Sequence, residues 1–243
     1  ARWVQFGALS AAVRLHSARV GVLDRRPWTY ERRFFESMRD AVRLRAAMMP
    51  HLYSEVRRSC QDSVPLLRPM YLDHGSHERA YRCDGQYLLG ERLLAAPITH
   101  AGVGPRCVAS QPVWFPPPRS AESAGSWRRW TTGERFADGD EAIVSAAIDE
   151  APLFVREGAP IVLQEFGPRM TAGLGDHATL RLWPPTRLHA PITMTDVLEE
   201  DDGLTDDPDD RLVARTPLRV EWTPTPRGTV VASVTIGPVD GRF

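Results

Sequence analysis

An α/β segment followed by an all-β region is the fold class the sequence predicts. Three observations predict it. A helix-like stretch runs into a short apolar strand within the first sixteen residues, a long amphipathic helix follows, and from Pro65 onward frequent Pro and Gly cut the apolar stretches down to strand length.

In Arg2–Ser10, Trp3, Phe6 and Leu9 stand three apart, a spacing that suits the buried face of a helix. Ala12, Val13 and Leu15 then form a short apolar stretch that carries Arg14 and ends at His16. This reads as a buried strand over Ala11–His16 with polar groups at its carboxyl end, where ligands sit in open α/β sheets and in barrels. The chain reaches this strand with no initiator Met and no opening loop, and is expected to begin mid-fold. From Glu31 to Ser59 the apolar residues Phe34, Phe35, Met38, Val42, Met48, Met49, Leu52, Tyr53 and Val56 recur near a period of 3.6, predicting one long amphipathic helix. Pro50 removes a backbone donor and is expected to kink it near Ala46–Met49.

Short strands are expected at Leu66-Leu67, Tyr87–Leu89, Leu93–Ile98, Trp114-Phe115, Trp127–Trp130, Ile143–Ile148 and Leu153–Val155. Thr132-Gly133 and Asp138–Asp140 read as turns, and the Pro-, Ser- and Ala-rich stretch Pro116–Ser126 as a surface loop. A composition shift over Gln164–Asp176 precedes a further β-unit with strands at Leu180–Trp183, Leu218–Trp222 and Thr229–Ile236. There is no internal repeat.

Composition narrows the function. A chain of 243 residues with 42% hydrophobic and 25% charged residues is an ordinary globular sequence, with no apolar run of membrane-spanning length. A net charge of −1 and the lack of a basic stripe argue against nucleic acid and favour a neutral ligand. All thirty cations are Arg and there is no Asn, so no N-x-S/T acceptor exists. Cys60, Cys83 and Cys107 are odd in number and widely spaced; three reduced thiols, as in a cytosolic protein, are a plainer reading than one disulfide plus a spare. The amino terminus carries no targeting information, and the compartment stays open.

The words RWVQFG and RLHS at Arg2–Ser17, followed by Arg26–Tyr30, resemble the closing part of the catalytic barrel of glycoside hydrolase family 31, the α-glucosidases and α-xylosidases. Further matches follow in order: Leu44-Arg45, Met49–Tyr53, Arg68–Tyr71, Gln86–Gly90, Leu93–Ile98, Thr131–Gly133, Pro152–Ala159 and Glu200–Gly203. The resemblance is dense to about Leu163 and thin afterwards. It implies the last strand and helix of a (β/α)₈ barrel over residues 1–68, then two β-sandwich domains, a proximal one over 69–163 and a distal one over 164–243. It implies no cofactor, an α-linked oligosaccharide as substrate, and the remainder of the barrel as the structural partner.

Retaining hydrolysis of a glycoside needs two carboxyl groups about 5–5.5 Å apart. In the barrel-like part the acidic residues are Asp24, Glu31, Glu36, Asp40, Glu55 and Asp62, and none falls at a strand end. The resemblance places the nucleophile and the acid/base on earlier barrel strands, so no catalytic residue is expected within this chain. It makes His16 a substrate-binding residue that hydrogen-bonds ring hydroxyls; from spacing alone, a core His satisfied by a backbone carbonyl is the plainer reading. Arg14 either supports that pocket or pairs with a rim carboxylate. Trp28 and Tyr30 either stack on sugar or, more plainly, are buried under the long helix. His74 and His77 have metal-like spacing without a third ligand, and a solvated loop is the better reading. The acidic run Glu199–Asp210 does not follow the EF-hand pattern and is expected to be a solvated, mobile β-hairpin.

A different class of function fits the same chain: a non-catalytic β-rich module that binds carbohydrate or a partner subunit. Its cue is the set Trp114, Trp127, Trp130, Trp183 and Trp222, provided these side chains form an exposed platform.

Overall fold

The computed structural model describes residues 1–16, 24–119, 125–165, 177–186, 188–203 and 212–241. Four helices lie toward the amino terminus: α1 (Arg2–Ala8), α2 (Arg32–Ala47), α3 (Met49–Asp62) and the short α4 (Met70–His74). Among the described residues no helix is long and apolar enough to cross a membrane.

The expected long helix is two helices. Met48 (φ −82°, ψ −1°) separates them and Pro50 sits in the first turn of α3. A proline there loses no helical hydrogen bond, so the chain restarts a helix instead of bending one. Helix α1 forms as expected but shows a different face. Val4 and Ala8 are buried against Met38 and Ala41 of α2, whereas Trp3 is 69% exposed. The i,i+4 pair of smaller residues lets the two helices approach closely, and Trp3 is left against Phe6 at a ring separation of 5.5 Å. Arg2 ties α1 to the β-region through the carbonyls of Ala146 and Glu150, both at 2.9 Å.

Ala11–His16 is neither a strand nor buried. A barrel strand has no hydrogen bonds of its own and exists only between neighbours. No described strand lies beside this segment.

The β-region begins with β1 (Leu67–Pro69), β2 (Tyr87–Leu89), β3 (Leu93–Ala95), β4 (Ala109–Trp114), β5 (Ser126–Arg129), β6 (Arg135–Ala137), β7 (Glu141–Ala146) and β8 (Leu153–Arg156). Six of these form one antiparallel sheet in the order β1-β2-β3-β8-β5-β6, and β4 pairs with β7. The period-2 alternation sends Leu89, Leu93, Ala95, Leu153 and Val155 toward Met48 and Leu52 at the α2–α3 junction and in α3. The alternate residues Leu88, Leu94 and Phe154 meet Val113, Trp114 and Val144 of the β4–β7 pair. Both faces of the sheet are therefore buried, which explains why strands such as Leu93–Ala95 read as unbroken apolar runs.

Then come β9 (Pro160–Gln164), β10 (Ala178–Leu182), β11 (Ile192–Glu200), β12 (Ala214–Pro224) and β13 (Val230–Ile236). Strands β9 and β10 pair, and β11-β12-β13 form a meander. Val162, Leu198 and Leu218 close a small core between them. The chain is thus a group of barrel-type helices followed by mostly antiparallel β-structure.

All five candidate platform tryptophans are buried, from Trp127 at 0% exposure to Trp130 at 7%. Trp127 and Trp222 donate to the Pro116 and Gly158 carbonyls, as buried indoles require. The expected burial of Trp28 and Tyr30 fails: they are 68% and 44% exposed, because α2 buries its face against α1 instead. The three cysteines are free. Of the acidic run, Glu199 and Glu200 end β11 and pair with β12, and Glu199 is buried where a solvated hairpin is expected; residues 204–210 of the run lie outside the described residues.

Candidate functional site

The segment that leads to His16 is held at its root. The Arg45 guanidinium of α2 donates to the carbonyls of Ala8 (3.3 Å), Ala11 (2.7 Å) and Ser10. Tyr87 Oη of β2 donates to the Leu9 carbonyl at 2.8 Å. These carbonyls lie beyond the last turn of α1, where no intrahelical donor reaches them. Burial raises the Tyr87 pKa and keeps the phenol a donor at neutral pH; it lowers that of Arg45, whose guanidinium remains a donor all the same. A Cβ on Gly7 would stand 2.6 Å from Val13 Cγ2, so the glycine lets the chain fold back closely over α1.

Beyond this clasp Arg14 and His16 are exposed on irregular backbone, and among the described residues no carboxylate pairs with them. Five of the six acidic residues of the helical part, all but Asp62, are engaged elsewhere, Glu31 with Arg33. Asp24 pairs with Arg26, Glu36 with Arg32, Asp40 with Arg39 and Glu55 with Arg58. None of them lies in a described strand, where the resemblance expects the catalytic pair.

A second polar assembly, which the sequence alone did not show, joins α3 to β11. Asp196 accepts from Arg58 at 2.8 Å and from Arg92 of the β2–β3 turn. Arg58 also donates to Glu55 at 2.5 Å, and Arg57 to Glu199 at 2.5 Å. Burial alone would raise the Asp196 pKa, but the cations of Arg92 and Arg58 outweigh it and hold the carboxylate below its usual range. Burial keeps His51 neutral. Gly90, at φ +65°, lies so close that a Cβ would stand 2.3 Å from Glu55 Oε2.

Beside this assembly a polar cleft of ≈ 490 Å³ opens between α4, the β2–β3 turn and β11. His74 and Asp73 line one side, Glu91 and Arg92 another, and Thr193 and Thr195 a third. The expectation of a solvated loop at His74 and His77 is corrected for His74, which is buried edge-on to Trp114 at 5.8 Å. Among the described residues there is no group of three side chains able to hold a metal ion.

Comparison with known proteins gives the family. Residues 1–55 match the "Glycosyl hydrolases family 31 TIM-barrel domain" and residues 63–161 the "Glycosyl hydrolase family 31 C-terminal domain". The chain belongs to glycosyl hydrolase family 31. It is 28% identical to alpha-glucosidase 2 of Bacillus thermoamyloliquefaciens over 84% of its own length and 24% of that protein. It is 26% identical to an alpha-xylosidase of Saccharolobus solfataricus over 84% of its length and 25% of that protein. The chain therefore spans about a quarter of the curated relatives it matches. The crystal structure of a Xanthomonas citri alpha-xylosidase of the same family superposes on 99% of the chain, itself 24% covered, with TM-score 0.74 and 27% identity. A Flavobacterium johnsoniae dextranase complexed with isomaltotriose shares the fold over 99% of this chain and 27% of its own, at TM-score 0.81 and 20% identity.

Proposed function

We propose that this chain is the carboxyl-terminal part of a retaining α-glycosidase that hydrolyses α-linked glucosides or xylosides. The observation that carries this reading is the order of the matches: the family's barrel domain over residues 1–55, then its C-terminal domain over 63–161. The nucleophile and the acid/base lie on barrel strands outside residues 1–243; in support, five of the six carboxylates of the helical part are taken up in local ion pairs and none lies in a described strand. His16 holds a sugar hydroxyl by donating from one ring nitrogen and accepting at the other, and Arg14 supports it. Arg45 and Tyr87 fix the root of that segment. Residues 1–68 belong to the barrel, 69–163 to a proximal and 164–243 to a distal β-domain.

The test is complementation. The 243-residue chain alone should release no product from p-nitrophenyl α-glucoside or α-xyloside. Co-expression with an upstream barrel segment bearing two strand-end aspartates should restore hydrolysis, and His16→Ala should raise KM in the restored enzyme. Activity of the chain alone, or none after complementation, would sink the proposal. The rival reading, a binding module with a tryptophan platform, loses its support because those indoles form the core.

A further inference from the structure

The cleft between α4, the β2–β3 turn and β11 has the size of a small-molecule site, for which about 300–1,000 Å³ is usual. Its charges are already satisfied. Arg92 is paired with Asp196, Arg156 with Asp138 at 2.7 Å, and Arg119 with Asp73 at 3.2 Å. An anion would therefore find no unpaired cation among these groups, and a cation would find Asp73 bridged by Arg119 and Arg68. What remains open is hydrogen bonding. The His74 side chain lines the cleft, is only 6% exposed, and neither ring nitrogen has a hydrogen-bond partner among the described residues. Its nitrogens are not among the polar atoms sealed from solvent, so they are open to a ligand or water in the cleft. Burial lowers the His74 pKa to about 4, so the ring is neutral at pH 7 and offers one donor and one acceptor. Glu91 has only a loose 3.8 Å contact with Arg68, and Thr193 and Thr195 of β11 line the same cleft.

We propose that this cleft is a binding site for a neutral polyhydroxylated ligand, of the size of one or two sugar rings, with His74 and Glu91 as its principal hydrogen-bonding residues. The site rests on no part of the catalytic reading, and neither Arg14 nor His16 lines it. A neutral polyol supplies both donors and acceptors without disturbing the paired charges. An oxyanion supplies acceptors alone and would have to break an existing ion pair.

The experiment is equilibrium binding to the 243-residue chain by ligand-observed NMR and calorimetry, with glucose, xylose and maltose as neutral probes and inorganic phosphate as the charged one. At least one sugar should bind in the millimolar range and phosphate should not. His74→Phe keeps the ring contact with Trp114 and removes both nitrogens, and should weaken binding by about tenfold, the usual worth of one lost hydrogen bond. Glu91→Ala, on an exposed turn that does not threaten folding, should weaken it several-fold. Absence of binding by all three sugars would overturn the proposal, as would phosphate binding in their place. Sugar binding that is unaffected by both variants, or that follows His16→Ala instead, would overturn it as well.

Discussion

Replacing Asp196 by Ala tests the assembly that fastens α3 to β11. The Asp196 side chain is 7% exposed, and its two partners are 8% exposed in Arg92 and 23% in Arg58. Removal leaves Arg58 its bond to Glu55, whereas Arg92 keeps only the Thr195 carbonyl and becomes a buried cation without a counter-charge. Breaking such a pair from one side costs about 3–5 kcal/mol, a large part of the roughly 5–15 kcal/mol that holds a domain folded. For a chain of this size the melting temperature should fall by about 10 °C, since 1 kcal/mol shifts it by roughly 2–4 °C. Urea unfolding followed by tryptophan fluorescence measures the loss. Because Asp196 has its pKa held down in the fold, its contribution is whole above the ordinary carboxylate range and is lost as pH falls through the folded value. The gap between variant and parent should therefore close below about pH 4. Asp196→Leu combined with Arg92→Met should recover most of the stability, since apolar replacement of both partners removes the stranded charge. A loss under about 1 kcal/mol, or equal losses with and without Arg92, would refute the reasoning.

Gly90→Ala forces a left-handed alanine and drives its Cβ into Glu55 Oε2, and should cost about 2 kcal/mol or more in the same unfolding assay. Arg45→Met frees the carbonyls of Ala8, Ser10 and Ala11; amide exchange over residues 9–13 should speed up by about tenfold while the sheet amides are unchanged. For His74 the folded pKa of about 4 lies below the unfolded value of about 6.5, so the unfolded chain takes up the proton first. Stability should fall as pH drops from 6.5 to 4, and His74→Phe should abolish that component in melting curves against pH. Among the thiols, Cys60 is exposed and should react first with a disulfide reagent, well ahead of Cys83, whose pKa burial raises.

The β-region was legible because its strands are bounded by Pro and Gly and are buried on both faces, as in Leu93–Ala95 and Leu153–Arg156. The helices were legible by period, and the break at Met48 was placed correctly even though it proved a restart and not a kink. The strand expected over Ala11–His16 was not recoverable in the same way, because apolar pattern signals a wish for neighbours and not their presence. Trp3 misled for a related reason: its spacing from Phe6 and Leu9 marks a helical line, but the line that packs is Val4–Ala8, whose small side chains give no strong hydrophobic signal. The acidic run looked solvated in composition, yet Glu199 is buried between Arg57 and Arg215 from elements far apart in sequence. His74, Glu91 and Thr195 share no local pattern, and only the approach of β11 to the β2–β3 turn makes them neighbours.

In a chain with thirty arginines and no lysine, the guanidinium clasps decide where lysine could stand in. Arg2 reaches the carbonyls of Ala146 and Glu150 and the Gln5 amide oxygen at once, and Arg45 spans those of Ala8 and Ala11. A single ammonium nitrogen cannot bridge acceptors so far apart. Exposed Arg32 and Arg82, each facing one carboxylate, carry no such demand. Over generations of drift, lysine should accumulate at the second kind of position and be purged from the first, so that an Arg held against a changing codon bias marks a joint of the fold.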